Sequence, residues 1–95
     1  MKFLSTFKIN KGFDRWLKLV DELQPYTKKY ELKMIFACTN DEETRVRVWD
    51  MGEANNAELV TDFLNDQEVI NMRTEAGVDL ESSEVLSMIS KHKIW

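Results

Sequence analysis

The sequence predicts an α+β sandwich in which four antiparallel strands form one sheet and helices cover one of its faces. Four segments show the two-residue alternation of apolar and polar side chains that is typical of half-buried strands. In the stretches that follow the first and third of them, apolar residues recur at the three- and four-residue steps of amphipathic helices. The segment DFLNDQEVINMRTEAGV, residues 62–78, predicts a helix end, a short second helix and a glycine stop directly before the last strand.

The first strand is predicted at Lys2–Ile9 and the first helix at residues 11–24. Asn10 is suited to cap this helix, because its side chain can accept a hydrogen bond from a free backbone N–H of the first turn. Pro25 discourages continuation, since the residue before a proline disfavours the helical conformation. The apolar stripe of the helix consists of Phe13, Trp16, Leu17, Val20 and Leu23.

The next two strands are predicted at residues 31–39 and 44–51, joined in an antiparallel hairpin by a polar turn. Alternation in the third strand places Val46 and Val48 on the face toward the helices. The opposite face of that strand receives Arg45, Arg47, Trp49 and Met51.

The second helix is predicted from about residue 53, with Asn65 and Glu68 as the capping pair of a short helix that follows it. Gly77 supplies the left-handed residue that ends this short helix, and the fourth strand covers residues 82–90. The resulting order β-α-β-β-α-β is the ferredoxin-like one. A length of 95 residues predicts a single domain, residues 1–95.

The apolar residues divide between the two faces of the predicted sheet. The core under the helices is predicted to contain Phe3, Phe7, Trp16, Leu17, Val20, Phe36, Val46, Val48, Val60, Leu64 and Val85. The opposite face is predicted to carry Leu4, Thr6, Ile35, Ala37, Trp49, Met51, Leu86 and Met88. Since a monomer would expose this second set as one patch, we expect a homodimer through that face, with Trp49 as its central anchor.

Composition argues against several classes of function. The formal charge is −4 and the cations are dispersed, so we expect no nucleic-acid binding. No stretch approaches the roughly 18 apolar residues that cross a bilayer, and Lys8 interrupts the apolar N-terminus. We therefore expect no membrane association and a cytoplasmic protein. Cys38 is the one cysteine, so no intrachain disulfide can form, and its apolar neighbours predict a small buried side chain.

Patterns typical of catalytic and metal sites are missing from the sequence. His92, in the tail KHKIW, would need a partner such as Cys38 or Asp50 within hydrogen-bond reach to act as a base. One histidine and one cysteine do not make a structural zinc site, and the acidic turn at 41–43 lacks the ligand spacing of a calcium loop. No phosphate-binding or nucleophile-elbow motif occurs. We therefore predict no catalytic residue, no metal and no cofactor.

The segment RVRVW, residues 45–49, carries the one functional indication. Two guanidinium groups beside an indole on a central strand could hold a carboxylate or stack on a planar ligand. Alternatively, the arginines pair with Glu31, Glu84 or a partner subunit, because buried charges are normally paired. The candidate ligand-binding or interface residues are Arg45, Arg47, Trp49, Met51 and Met88.

The order of elements, with FLNDQEVINMRTEAGV leading into the last strand, resembles the dimeric α+β barrel superfamily, which includes the antibiotic-biosynthesis monooxygenase-like proteins. Over nearly its whole length the chain is similar to a family of short cyanobacterial proteins of unknown function. The resemblance implies this fold and a dimer. It implies no catalytic residue, because the haem-degrading members use a histidine on the second helix and residues 53–77 contain none.

Two functions follow as expectations. The first is a small cytoplasmic homodimer that binds a protein partner or a small apolar or anionic ligand. The second, which the resemblance implies, is a cofactor-independent monooxygenase-like enzyme for a small planar aromatic molecule or quinone, with Cys38, Trp49 and Met51 near its cavity. A cavity of roughly 300–1,000 Å³ between helices and sheet, lined by at least one polar group, would keep the enzyme possible. A solid core would remove it.

Overall fold

The computed structural model describes residues 1–40 and 46–95, so Arg45 and the predicted acidic turn lie outside the described residues. The elements are β1 (Lys2–Ile9), α1 (Phe13–Glu22), α2 (Gln24–Lys29), β2 (Lys33–Asn40), β3 (Arg47–Glu53), α3 (Ala57–Asn65), α4 (Gln67–Glu75) and β4 (Val78–Ile89). The strands form one antiparallel sheet in the order β2-β3-β1-β4, so β3 and β1 are central. This is the predicted ferredoxin-like α+β arrangement.

The pairing of the strands assigns each residue to one face of the sheet, because residues directly opposite each other point to the same side. On the face that packs against the helices, here named the helix face, Val48 lies opposite Phe7. On the other, named the open face, Trp49 lies opposite Thr6. Val48 is fully buried and Val46 packs against the core, which confirms the predicted orientation of the third strand.

The core lies between the helix face and the helices, and its largest fully buried side chains are Leu19, Val48 and Val69. The rings of Phe7 and Trp16 lie 5.6 Å apart, within the range of favourable aromatic pairs. Most of the predicted core is buried or partly buried. Leu17 is an exception at 43% exposure, because the buried stripe of α1 runs through Leu19 instead.

A β-bulge in β2 overturns part of the predicted alternation. The register with β3 shifts by one residue between Met34 and Phe36, which leaves Ile35 as the extra residue. Met34 therefore lies on the helix face, whereas Phe36 lies on the open face and Ala37 returns to the helix face. Phe36, predicted in the core, is 58% exposed, and Ala37, predicted on the open face, packs against the core.

A second irregularity in β4 has the same effect. The pairing with β1 shifts between Leu4 and Ser5, which leaves Leu86 without a direct partner. Met88 then lies opposite Phe3 on the helix face, so its predicted place on the open face is wrong. Val85 faces the helices as predicted but is 43% exposed, because the helices do not cover this edge strand completely.

Three helix boundaries depart from prediction. Gly12, at φ +86°, precedes α1 as its cap in place of Asn10, in a conformation that other residues rarely adopt. Pro25 does not end the helical structure, because it lies in the first turn of α2, where its missing N–H is not needed. Asp66 caps α4 one residue later than predicted, and its carboxylate accepts the N–H of Glu68 at 3.0 Å.

The remaining boundaries are the start of α3, the end of α4 and the start of β4. α3 begins at Ala57, later than predicted, because β3 extends to Glu53 and Asn56 accepts the N–H of Leu59 at 3.0 Å. Gly77, at φ +90°, follows α4 as predicted, and β4 starts directly after it, at Val78. Within the described ranges, no helix combines the length and apolarity that crossing a bilayer requires.

Candidate functional site

A cavity of about 720 Å³ lies between the helix face and the helices. Its wall is mostly apolar, with contributions from β1, α1 and α3 that include Phe3, Phe7, Trp16, Leu19, Phe63 and Leu64. The volume falls within the roughly 300–1,000 Å³ of small-molecule sites. The space under the helices is therefore not a solid core, and the enzyme alternative stays possible on that criterion.

Among the polar residues that line this cavity, four form two hydrogen-bonded pairs and are here named the polar cluster: Ser5 from β1 with Asp50 from β3, and Arg73 from α4 with Ser83 from β4. The Ser5 hydroxyl donates to the Asp50 carboxylate across the β1–β3 pair. Nη2 of Arg73 donates to Oγ of Ser83 at 3.0 Å, and the guanidinium carbon lies 5.6 Å from the centre of the Phe7 ring. Asp50 is 6% exposed and Arg73 is 8% exposed, so both charged groups are buried.

The local structure explains how these side chains meet. Asp50 faces the helices because it shares the parity of Val48 in β3, and Ser5 is its direct partner on the central strand β1. Arg73 lies in the last turn of α4, where the free carbonyl groups of a helix favour a cation. Its long apolar stem lets the guanidinium reach the sheet and bind Ser83.

Burial governs the charge state of the polar cluster. Loss of solvent raises the pKa of Asp50 from 3.8 to about 6, although the hydrogen bond from Ser5 and the charge of Arg73 oppose this shift. Desolvation lowers the pKa of Arg73, against the attraction of Asp50, but a guanidinium stays charged at neutral pH. In the part of the chain that the structure describes, no carboxylate lies at salt-bridge distance from Arg73. The cavity thus contains a titratable acid and a cation without a direct counter-charge.

The exposed lining residues mark where the cavity meets solvent. Gln24 and Lys28 on α2 and Lys33 at the start of β2 form one side, and Glu84 and Val85 on β4 form another. Lys28 gives that part of the rim a positive charge in a chain whose formal charge is −4, whereas Lys33 lies opposite Glu53 and its side chain belongs to the open face. Such a rim favours the approach of anions.

Two tyrosines hold α2, one wall of the cavity, against the start of α4. The Tyr26 hydroxyl donates to Glu68, and the Tyr30 hydroxyl donates to Oδ2 of Asp66 at 2.6 Å. Lys29 lies 3.7 Å from the same carboxylate oxygen. The hydrogen bond from Tyr30 lowers the pKa of Asp66 and raises the pKa of Tyr30, because it stabilises the carboxylate and the protonated phenol together.

The site residues predicted from the sequence lie away from this cavity. The open face carries three of them, Arg47, Trp49 and Met51. None of the three is among the described residues that line the cavity. Nη1 of Arg47 donates to Oγ1 of Thr6 at 3.2 Å, a neighbour on the same face. Met88 faces the helices, and Arg45 lies outside the described residues.

The residues considered for catalysis are also dispersed. Cys38 is a free thiol opposite Trp49 on the open face, and it is half-buried rather than buried as predicted. His92 is exposed in the tail after β4, whereas Asp50 is buried under the helices. Across residues 1–40 and 46–95, no group of three or more His, Cys, Asp or Glu side chains is placed to hold a metal ion.

The open face presents a largely apolar surface. Its central rows across the sheet run through Phe36, Met51 and Leu4 and through Cys38, Trp49 and Thr6. Phe36 is 58% exposed and Trp49 is 37% exposed. Arg47 stands in the next row, where its hydrogen bond to Thr6 keeps the guanidinium against the sheet.

Sequence reasoning missed the polar cluster, although two of its members leave a signal. Asp50 continues the two-residue alternation of Val46 and Val48 and therefore faces the core, where an apolar residue is the norm. Arg73 follows the buried Val69 by four residues, so a cation falls on the apolar stripe of α4. The two serines are unremarkable in the sequence, because their role depends on pairing across the sheet and with α4.

A comparison with solved structures supports the fold. The chain is similar to a solved structure titled "Structural Genomics, protein YJCS", with a TM-score of 0.50 and 17% sequence identity, over 93% of this chain and 98% of that chain. No family model matches the sequence, and no curated protein matches it significantly. At this identity the similarity establishes a shared small α+β fold and nothing about the chemistry of the cavity.

Proposed function

We propose that this chain is a small-molecule-binding protein whose site is the cavity between the sheet and the helices. The observation that carries the proposal is the buried pair Asp50 and Arg73 in an otherwise apolar cavity of about 720 Å³. Ligand sites combine apolar walls with a few convergent polar groups in this way. Two buried charges without direct pairing destabilise a fold, so a ligand that satisfies them gives a reason for their presence.

The free space itself supports the same proposal. Protein interiors are packed as densely as organic crystals, and unfilled volume in a core is destabilising. Here Phe3, Leu64 and Val85 are only partly covered because the helices stand away from the helix face. A ligand that fills this space would bury those apolar surfaces and stabilise the folded chain.

Thermal-shift screening against a metabolite panel, with neutral Nile red as a reference probe, tests the proposal. A ligand at 100 times its dissociation constant stabilises the folded state by about 2.7 kcal/mol, which raises Tm by roughly 10 °C or more for a domain of this size. Leu64→Trp places a larger side chain in the cavity and should reduce the shift. Leu17→Trp places the same side chain on an exposed position of α1 and should leave it intact. A shift that Leu64→Trp leaves unchanged would place binding elsewhere.

The proposal includes a homodimer formed through the open face and a cytoplasmic location. The support for the dimer is the exposure of Phe36 and Trp49 beside Met51 on one sheet surface, because contiguous exposed apolar residues are typical of protein–protein contact sites. A two-fold contact of about 800 Å² per subunit would cover it. A relationship to the dimeric α+β barrel superfamily, and within it to the short cyanobacterial proteins, belongs to the same proposal and accords with the fold.

A second candidate is a cofactor-independent monooxygenase-like enzyme, and Asp50 is the observation that favours it. A buried carboxylate with a pKa of about 6 can accept a proton from a substrate near neutral pH. In such a reaction a CH₂ group of a planar aromatic substrate becomes C=O, and dioxygen supplies that oxygen atom while its second atom leaves as water. All four electrons that reduce dioxygen come from this CH₂ group, and its two hydrogen atoms leave in the water.

Oxygen uptake with anthrone as the substrate tests this candidate. An enzyme would consume one dioxygen per anthraquinone formed, and Asp50→Asn would reduce the rate at least 100-fold because the proton acceptor is lost. Asp62→Asn, on the exposed side of α3 and away from the cavity lining, is the matched control and should retain activity. Equal rates for the wild type, both variants and a protein-free solution would remove the enzyme candidate and leave the binding proposal standing.

A further inference from the structure

We propose that the ligand of the cavity is a monocarboxylic acid with an apolar body, bound with its carboxylate on the guanidinium of Arg73 and beside the carboxyl group of Asp50. This inference rests on the proposed function and narrows its ligand to one chemical class. It draws on the bonding of Arg73, the position of Asp50 and the charges at the rim.

The bonding of Arg73 leaves most of its donors to the cavity. A guanidinium has five N–H groups, and the described contacts of Arg73 use Nη2 for Ser83 and the flat face for the Phe7 ring. Every fully buried side-chain nitrogen or oxygen of the described residues has a hydrogen-bond partner. The nitrogen atoms of Arg73 for which no partner is described are therefore not fully buried, and they border open space. That space is the cavity, because Arg73 lines it and is 8% exposed overall.

The planar fork of a guanidinium matches a carboxylate, which it can bind through two parallel hydrogen bonds. Arg73 is buried and has no carboxylate of the described chain at salt-bridge distance. Within a low-dielectric cavity, an anion that contacts it directly gains more than it would at the surface. The apolar wall formed by residues such as Leu19 and Phe63 then requires that the rest of the ligand be apolar.

The position of Asp50 limits the ligand to a single negative charge and couples binding to a proton. A bound carboxylate beside an ionised Asp50 places two like charges on one cation, which favours protonation of Asp50. Protonated Asp50 can then donate to the ligand while it accepts from Ser5. Binding should therefore take up close to one proton above the pKa of Asp50, and affinity should fall as pH rises.

Other charged groups around Asp50 do not reverse this expectation. Arg73 faces it from α4, and the rim adds Lys28 from α2, Lys33 from β2 and Glu84 from β4. The described lining side chains of α1 and α3 are all apolar. Lys28 favours an anion on its way in, whereas Lys33 and Glu84, which lie opposite Glu53 and Thr6, belong to the open face.

Isothermal titration calorimetry with two matched probe pairs tests the inference. The probes are 2-naphthoate with 2-naphthamide and decanoate with decanamide, at pH 6 and pH 8. At pH 6 we expect at least one carboxylate to bind ten times more tightly than its amide. Its dissociation constant should rise with pH, and the rise should approach tenfold per pH unit at pH 8. Asp50→Asn should remove the pH dependence. Arg73→Met should abolish the preference for the carboxylate, and Arg15→Met, on the exposed side of α1, should preserve it.

The outcomes separate the two proposals. If an amide binds as tightly as its carboxylate in the wild type, and Leu64→Trp weakens both, the cavity binds ligands but the anionic class is wrong. If no probe and no Nile red binds, both proposals fail. If Arg73→Met does not fold, measurements on the wild type still test the ligand class. They are the preference for the carboxylate over the amide and the proton uptake on binding, which is measured in buffers of different ionisation enthalpy.

Discussion

Both faces of the sheet carry charged residues, but the surroundings of these residues differ. Arg47 and Asp50 belong to the same strand, but Arg47 lies on the open face against Thr6, whereas Asp50 lies on the helix face in a cavity with Arg73. A charged group on the open face keeps contact with solvent. On the helix face it is desolvated, and the pKa of Asp50 rises to about 6 as a result. The burial of Asp50 and Arg73, more than their residue types, indicates that the candidate ligand site is on the helix face.

The largest expected effect distinguishes the buried acid of the helix face from an exposed one. Because burial raises the pKa of Asp50 from 3.8 to about 6, its contribution to stability is fully present below pH 3.8 and is lost as pH rises through 6. At about 1.4 kcal/mol per pH unit, the loss amounts to about 3 kcal/mol. Asp50→Asn should remove this loss, so the variant gains about that much relative to wild type between pH 4 and pH 7.5.

Chemical denaturation at the two pH values measures this difference. Other carboxylates titrate in both proteins and cancel in the comparison. Asp62→Asn, on the exposed side of α3, is the control and should track the wild type. Identical pH dependence for wild type and Asp50→Asn would mean that Asp50 is solvated in the folded protein.

The next effect tests whether the open face is an interface. Phe36→Lys combined with Trp49→Ala removes two exposed apolar side chains and adds a charge, which should cost the dimer 2 kcal/mol or more of association free energy. Light scattering at micromolar concentration should then report a monomer for the variant and a dimer for the wild type. Leu17→Lys, on exposed α1 surface, should leave the dimer unchanged. A wild-type monomer would contradict the proposed interface.

Gly52 lies on the helix face of β3, opposite a residue that lines the cavity. A β-carbon at this position would overlap the ring of Phe3, which lies opposite it on β1 and lines the cavity. Gly52→Ala should therefore push the ring into the free space, cost about 1 kcal/mol of stability and weaken Nile red binding. Adding Phe3→Leu should restore binding, because the shorter side chain leaves room. Unchanged binding in Gly52→Ala, measured by fluorescence titration, would show that the ring moves elsewhere.

The smallest effect is expected at the arginine of the open face. Arg47→Met removes one hydrogen bond to Thr6 at a partly exposed position, so the free energy of unfolding should change by no more than about 0.5 kcal/mol. Ligand binding in the cavity should not change. A loss of binding comparable to that of Arg73→Met would instead make the open face the site, as the sequence suggested.

The elements were predictable because they depend on local patterns. The alternation in β3 placed Val46 and Val48 correctly, and the order of the strands was predicted from the same kind of pattern, but α2 was not predicted because Pro25 was expected to end the first helix. The bulges at Ile35 and Leu86 were not predictable in this way, since an extra residue changes parity without changing composition. Those two residues account for the misplacement of Phe36, Ala37 and Met88.

The site was harder to predict because it depends on contacts between distant segments. RVRVW drew attention to the open face through its two arginines, yet the acid that follows it, Asp50, lies on the helix face. Arg73 and Ser83 come within 3.0 Å of each other only because β4 returns beside β1 under α4. A charged residue at a core-facing position is the one signal that the sequence offers for such a site.

Chemical-shift mapping of the ¹⁵N-labelled protein during titration with 2-naphthoate, and separately with 2-naphthamide, compares the two faces most directly. Binding in the cavity predicts saturable shifts at the backbone amides of Ser5, Asp50, Arg73 and Ser83 with at least one probe, and small shifts around Trp49. A shift map centred on Phe36, Trp49 and Met51, or no saturable shift with either probe, would contradict the assignment of the ligand site to the helix face.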